Sequence, residues 1–179
     1  CKDPPECRQY TYLSVNDFGA GVGQYGHALL SRGPGYRWRG YDGAGNVESV
    51  TNGFVSFFDL TIPLSLPRAD WAMSLEVFEH IPRRFEDAVR RNVDRTAGDG
   101  VVISWSVMGG SQSEHGHVNP KRKTQVRQFL APIGMVEDRT ASASLRRCTT
   151  FLYLRRGIQV FRRNTTLGQR AVRSDGTVT

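Results

Sequence analysis

Val15-Asn16-Asp17-Phe18-Gly19-Ala20-Gly21-Val22-Gly23 decides the fold: a β-prone run ends in an acid and turns through three alternating glycines into a helix. Glycine at such a turn lets a ligand approach the backbone, and the opening of the helix offers N–H groups with no partner inside it. A bare packing corner would need none of the residues that follow. Upstream, residues 12–18 read as a buried strand. Downstream, residues 25–31 read as a helix ended by Arg32-Gly33-Pro34-Gly35, and residues 36–41 as a second strand closing on Asp42-Gly43.

The alternation continues along the chain. Residues 46–51 read as a short helix, 54–58 as a third strand followed by Asp59-Leu60, 63–67 as an extended connection and 69–75 as a fourth strand. Phe85, Val89 and Val93 stand at i, i+4 and i+8, so residues 82–96 form an amphipathic helix, with Gly98 expected to close it. Residues 100–107 are the fifth and most apolar strand. Residues 121–130 are a further helix with Val126, Phe129 and Leu130 on one side, and residues 135–163 hold two more β-prone pieces, the second at 158–161. Strands alternating with helices imply an α/β fold, a mostly parallel sheet covered on both faces, with ligands beyond the carboxyl ends of its strands.

With 179 residues and 20.0 kDa, 39% hydrophobic and 23% charged, the chain fits one domain with a sizeable core, which excludes general disorder. The expected division is an amino-terminal extension over 1–11, read as truncated, a domain over 12–163 and a disordered tail over 164–179. No apolar run approaches the ~20 residues of a bilayer span, so the reading is a soluble, cytoplasmic protein with no membrane partner. Cys1, Cys7 and Cys148 lack C-x-x-C spacing, and free thiols in a reducing compartment are favoured over a Cys1–Cys7 bridge. The sequon Asn164-Thr165-Thr166 carries little weight. Of the net charge of +7, residues 1–99 contribute −2 and residues 100–179 contribute +9. Arg146-Arg147, Arg155-Arg156 and Arg162-Arg163 could meet phosphate, but they lack interleaved aromatics, so a solvated face is the default.

Asp42 lies at a strand's carboxyl end, where its carboxylate can accept both hydroxyls of a ribose, or cap the turn with Gly43. Asp59, after the third strand, could accept from an exocyclic amine. At this point the chain resembles the class I S-adenosylmethionine-dependent methyltransferases. Residues 17–23 look like their first motif, Tyr41-Asp42 like the acidic end of their second strand and Asp59-Leu60 like their adenine-contacting position. Residues 70–82, with Glu76-Val77-Phe78-Glu79-His80-Ile81-Pro82, are similar to their motif after the fourth strand, and Ile158 to Arg163 to their last, antiparallel strand. The resemblance implies a Rossmann-like three-layer sandwich with a seven-stranded, mostly parallel sheet. It also implies S-adenosyl-L-methionine as cofactor, bordered by Asp17, Gly19, Ala20, Gly21, Gly23, Asp42, Gly43, Asp59, Leu60, Leu75 and Glu76.

Methyl transfer from a sulfonium is an in-line displacement, so the protein supplies alignment and, for a poor nucleophile, a base. Glu79, His80, His115 and His117 are the candidates, and His80, His117 and Glu79 are taken as the catalytic set. Glu76, Glu79, His80 and His117 also resemble the metal ligands of small-RNA 3′-end 2′-O-methyltransferases. The reading adopted is the metal-free one, in which Glu79 and His80 orient the turn. A small-molecule acceptor is favoured over RNA. Two alternatives stand: an NAD(P)-dependent oxidoreductase, because Gly21-Val22-Gly23-Gln24-Tyr25-Gly26 fits G-x-G-x-x-G, and a catalytically silent cofactor-binding scaffold.

Overall fold

The computed structural model describes residues 12–63, 65–106 and 116–164. Seven strands form one sheet in the order β3-β2-β1-β4-β5-β7-β6. They are β1 (Leu13–Phe18), β2 (Tyr36–Asp42), β3 (Val55–Phe57), β4 (Ala69–Leu75), β5 (Ala97–Ser104), β6 (Met135–Glu137) and β7 (Gln159–Arg163). The first five run parallel, and β7 is antiparallel to both β5 and β6. This is the expected Rossmann-like architecture with its antiparallel last strand. A doubly wound dinucleotide sheet runs 3-2-1-4-5-6 in parallel, so the antiparallel β7 between β5 and β6 counts against the oxidoreductase reading.

The helices are α1 (Gln24–Leu30), α2 (Val47–Val50), α3 (Glu86–Thr96), α4 (Lys123–Leu130), α5 (Arg139–Cys148) and α6 (Leu152–Gly157). On one face, α3 and α4 press Val89, Val93, Val126, Phe129 and Leu130 onto Phe18, Ala72, Val101, Ile103 and Phe161. Each of these larger side chains contributes about 1.5–3 kcal/mol by leaving water, so this face holds most of the folding energy. On the other face, Ala20, Trp38, Val47 and Val55 make a smaller cluster against α1 and α2. Between α1 and α5 the sheet floors an apolar groove of about 620 Å³, lined by Val15, Trp71, Met73, Val102 and Leu145 among others.

Several details differ from expectation. Gly98 does not close α3: β5 begins at Ala97, and Gly98 lies inside it, where a Cβ would stand 3.0 Å from the Ala69 carbonyl. Close backbone approach, not helix termination, accounts for that glycine. Phe85 belongs to a short 3-10 turn, Arg83–Phe85, that precedes α3. Between β6 and β7, α5 and α6 were not anticipated. Ser142 is the one fully buried residue of α5, while Ala141 and Leu145 line the apolar groove; Asp138 starts the helix by accepting the Ala141 N–H at 2.9 Å.

The expectations for Cys1, Cys7, residues 1–11 and the tail beyond Asn164 lie outside the described residues. Cys148 is an exposed free thiol. No described helix is long and apolar enough to cross a membrane.

Candidate functional site

The sheet order reverses between β1 and β4, and the strand ends there open into a cavity of about 480 Å³. Its walls include Gly19 from the turn after β1, Asp42 at the end of β2 with Gly43 after it, Asp59 and Leu60 after β3, and Glu76 and His80 after β4. Phe18, Tyr41 and Phe58 form its floor, their rings 5.4–5.9 Å apart. Each ring stands immediately before a wall residue, Gly19, Asp42 or Asp59, so an aromatic precedes the wall position at all three strand ends. Phe57, Thr61, Val77 and Ile81 also line the cavity and were not picked out as contacts.

The glycine turn is braced from within. Gly19 and Ala20 donate to the Tyr41 carbonyl at 2.8 and 3.0 Å, Gly21 donates to Asp42 Oδ2 at 2.8 Å, and Gly23 donates to the Ala20 carbonyl at 2.9 Å. These N–H groups therefore do not await a ligand, because amides in a half-buried turn need partners in the folded chain. Gly19 is required twice over: its φ is +75°, and a Cβ would meet Val77 Cγ2 at 2.2 Å. A Cβ at Gly23 would enter the Phe54 ring, and Ala20 packs in the smaller core cluster, so both shape the corner from behind the cavity.

The three acids differ in state. Asp17 is 2% exposed and accepts the Trp38 indole N–H at 3.2 Å. Burial, reinforced by the nearby Asp42 and opposed by the indole, pushes its pKa up to about 7. Asp42 takes two backbone N–H groups, Gly21 on Oδ2 and Ala44 at 2.9 Å on Oδ1, each oxygen has capacity for a further donor, and the residue lines the cavity. Asp59 Oδ1 accepts both the N–H and the hydroxyl of Thr61, at 2.8 and 2.7 Å.

After β4, Glu76 adopts a left-handed φ of +57°, a conformation rare outside glycine and concentrated at functional sites. Its N–H donates to Ser104 Oγ at 2.9 Å. Glu79 is fully buried, accepts the Ser106 N–H on Oε1 at 3.3 Å, and leaves Oε2 without a hydrogen-bond partner. Burial first, and the neighbouring Glu76 second, push its pKa up to about 8. The Glu79 carbonyl accepts the N–H groups of Val118 and Asn119 at 2.9 and 2.8 Å, which ties the loop carrying His117 to the turn carrying His80. The rings of His80 and His117 meet edge to face at 4.7 Å.

Of the expected site residues, the fold thus places Gly19, Asp42, Gly43, Asp59, Leu60, Glu76 and His80 on the cavity wall. Asp17, Ala20, Gly21, Gly23, Leu75, Glu79 and His117 are not among its lining residues and act from the layer around it. His115 lies outside the described residues. The larger groove between α1 and α5 presents no carboxylate and is unsuited to a ribose.

No family profile matches the chain, and no curated protein does. Solved structures do. Magnesium protoporphyrin IX methyltransferase from Synechocystis PCC 6803 with bound SAH superposes with a TM-score of 0.60 at 16% identity, over 87% of this chain and 76% of that one. Phosphoethanolamine N-methyltransferase 2 of Haemonchus contortus in complex with S-adenosyl-L-methionine gives 0.54 at 19%, over 70% and 34%. An O-methyltransferase of a Brevibacillus brevis multienzyme with S-adenosyl-L-homocysteine gives 0.53 at 17%, over 70% and 47%. The chain has the fold of the S-adenosylmethionine-dependent methyltransferases.

Proposed function

We propose that the chain is a methyltransferase that uses S-adenosyl-L-methionine to methylate a small molecule. The observation that carries this reading is the cavity at the switch point, along whose wall Gly19, Asp42, Asp59 and Glu76 follow one another. Asp42 accepts the ribose hydroxyls, Asp59 and Leu60 border the adenine over the Phe58 ring, and Gly19 borders the methionine end. Asp17 supports that end from beneath. His80 stands where the acceptor enters; its Nδ1 lies 3.3 Å from the Gly116 carbonyl, so in the neutral ring Nδ1 carries the proton and Nε2 is the basic atom. In the transfer the acceptor's electron pair attacks the methyl carbon, the S–C bond breaks, and its pair stays on sulfur as a neutral thioether. The acceptor's proton passes to Nε2.

Two points support a small acceptor over RNA. The matched structures include proteins named for magnesium protoporphyrin IX and phosphoethanolamine. Moreover, the arginine pairs are in part structural: Arg146 bonds Glu137, Arg162 bonds Asp138 and Arg163 bonds Asp94. Calorimetry with S-adenosylhomocysteine and, separately, NADH tests the cofactor. Micromolar binding of the first and none of the second is expected; binding of NADH alone, or of neither, overturns the reading.

A further inference from the structure

We propose that the outward face of α6 docks on an anionic lipid surface, with Phe151, Leu152 and Tyr153 entering the interface and Arg147, Arg155 and Arg156 meeting the headgroup phosphates. Within α6, Leu154 and Gly157 stand at i and i+3 and are buried. Leu152, Arg155 and Arg156 stand at i, i+3 and i+4, so they share the opposite face, and all three are exposed. At the start of the helix the rings of Phe151 and Tyr153 stack with their centroids 5.5 Å apart.

A single exposed apolar side chain needs no explanation, but three in succession form a patch. Phe151 is 55% exposed, Tyr153 49% and Leu152 65%, the highest value for a large apolar side chain among the described residues. The charge around them is one-sided. Residues 139–163 hold seven arginines and no Asp or Glu. Arg146, Arg162 and Arg163 are engaged by Glu137, Asp138 and Asp94, whereas Arg147, Arg155 and Arg156 are exposed and have no ion pair among the described residues. Apolar side chains set among uncompensated arginines complement the negative surface of an anionic leaflet.

The same residues fit nucleic acid less well. Bases stack on free ring faces, but Phe151 and Tyr153 stack on each other, and Leu152 has no ring to offer. A bilayer interface takes all three: Phe and Leu reach the acyl boundary, Tyr sits at headgroup depth, and arginine stems lie along the apolar surface while the guanidinium groups stay at the phosphates. No described helix is long and apolar enough to cross a membrane, and a peripheral contact needs none. The docked face adjoins the cavity: a Cβ on Gly157 would stand 3.6 Å from Oε1 of Glu76, which lines it. Docking itself is independent of methyl transfer.

The test is co-sedimentation of the chain with vesicles of phosphatidylcholine alone and of an equal mixture of phosphatidylcholine and phosphatidylserine. Binding to the mixed vesicles and little to the neutral ones is expected. Any basic chain adheres to an anionic surface, so three double variants decide whether α6 is responsible. Arg155→Gln with Arg156→Gln should weaken binding to the mixed vesicles by about tenfold or more. Phe151→Ser with Leu152→Ser keeps every charge and should also weaken it by about tenfold or more. Arg91→Gln with Arg95→Gln removes the same charge from α3, on the other face of the sheet, and should change little. All six side chains are exposed, and circular dichroism with melting temperatures checks that the variants fold. No binding to mixed vesicles, equal binding to neutral ones, undiminished binding of the Phe151 and Leu152 variant, or an equal loss in the α3 variant overturns the proposal. Tighter binding of polyuridylate than of the mixed vesicles assigns the face to nucleic acid and overturns it too.

Discussion

Asp17 shows how its surroundings set the state of a motif residue. A strand-end acid before a glycine turn reads as a ligand contact, but here the carboxyl is sealed under the turn with the Trp38 indole as partner. Its folded pKa of about 7 exceeds the ordinary 3.8, so the folded state holds the proton more tightly than the unfolded chain. The stability it contributes is fully present below pH 3.8 and is lost as pH rises through about 7. Asp17→Asn keeps an acceptor for the indole and cannot ionise. Urea unfolding across this window should show the wild type losing up to about 1.4 kcal/mol per pH unit relative to the variant, and parallel curves would remove Asp17 as the cause. Asp42 behaves differently, since it faces the cavity while also bracing the turn. Asp42→Ala should weaken S-adenosylhomocysteine binding by about 1.5–3 kcal/mol and lower the melting temperature, because Gly21 and Ala44 lose their acceptor. An unchanged dissociation constant would take Asp42 out of the site.

At the scale of elements, the connection from β3 to β4 is the unusual one. No helix is found among its described residues, and the segment carrying Asp59 and Leu60 is held by α3. Asn92, buried on α3, donates through Nδ2 to the carbonyls of Leu60 at 3.0 Å and Ile62 at 2.9 Å. Asn92→Ala leaves both carbonyls short of a donor. We expect a loss of about 1–3 kcal/mol in unfolding free energy, together with weaker S-adenosylhomocysteine binding, although the residue lies outside the cavity lining. Stability lost with affinity retained would show that α3 does not position the adenine wall. The antiparallel β7 is tied in by Arg163, whose guanidinium bonds the carbonyls of Ala97, Gly98 and Ile133 as well as Asp94. An arginine that seemed part of a basic surface is thus a clamp between β7, α3 and β5.

For the whole molecule, the polar cavity and the apolar groove differ in what they can hold. The polar one lies at the switch point and the apolar one on the sheet between α1 and α5, so a ligand carrying both ribose and amino-acid groups is matched only by the first. Binding to the folded state alone stabilises it by mass action. S-adenosylhomocysteine at a hundred times its dissociation constant should add about 2.7 kcal/mol and raise the melting temperature by roughly 5–10 °C for a chain of this size, with no rise from NADH. Equal melting temperatures with and without the nucleoside would contradict a folded-state pocket.

The sequence by itself determined the order of β1 to β5 with α1 and α3, because strand alternation, the glycine turn and the period of Phe85, Val89 and Val93 are local signals. It also located Gly19, Asp42, Asp59 and Glu76, since each lies at or just beyond a strand's carboxyl end and a parallel sheet gathers all such ends on one edge. Only the tertiary structure decided the rest. Helices α5 and α6 bury few residues and follow a stretch read as β-prone, and the start of β5 is set by how closely Gly98 approaches Ala69. Most of all, burial separated chemically identical side chains. Asp17 is sealed against Trp38 while Asp42 opens to the cavity, and Glu79 lies beneath an exposed His80 with an oxygen left unpaired, because desolvation and partner geometry depend on residues far apart in the chain.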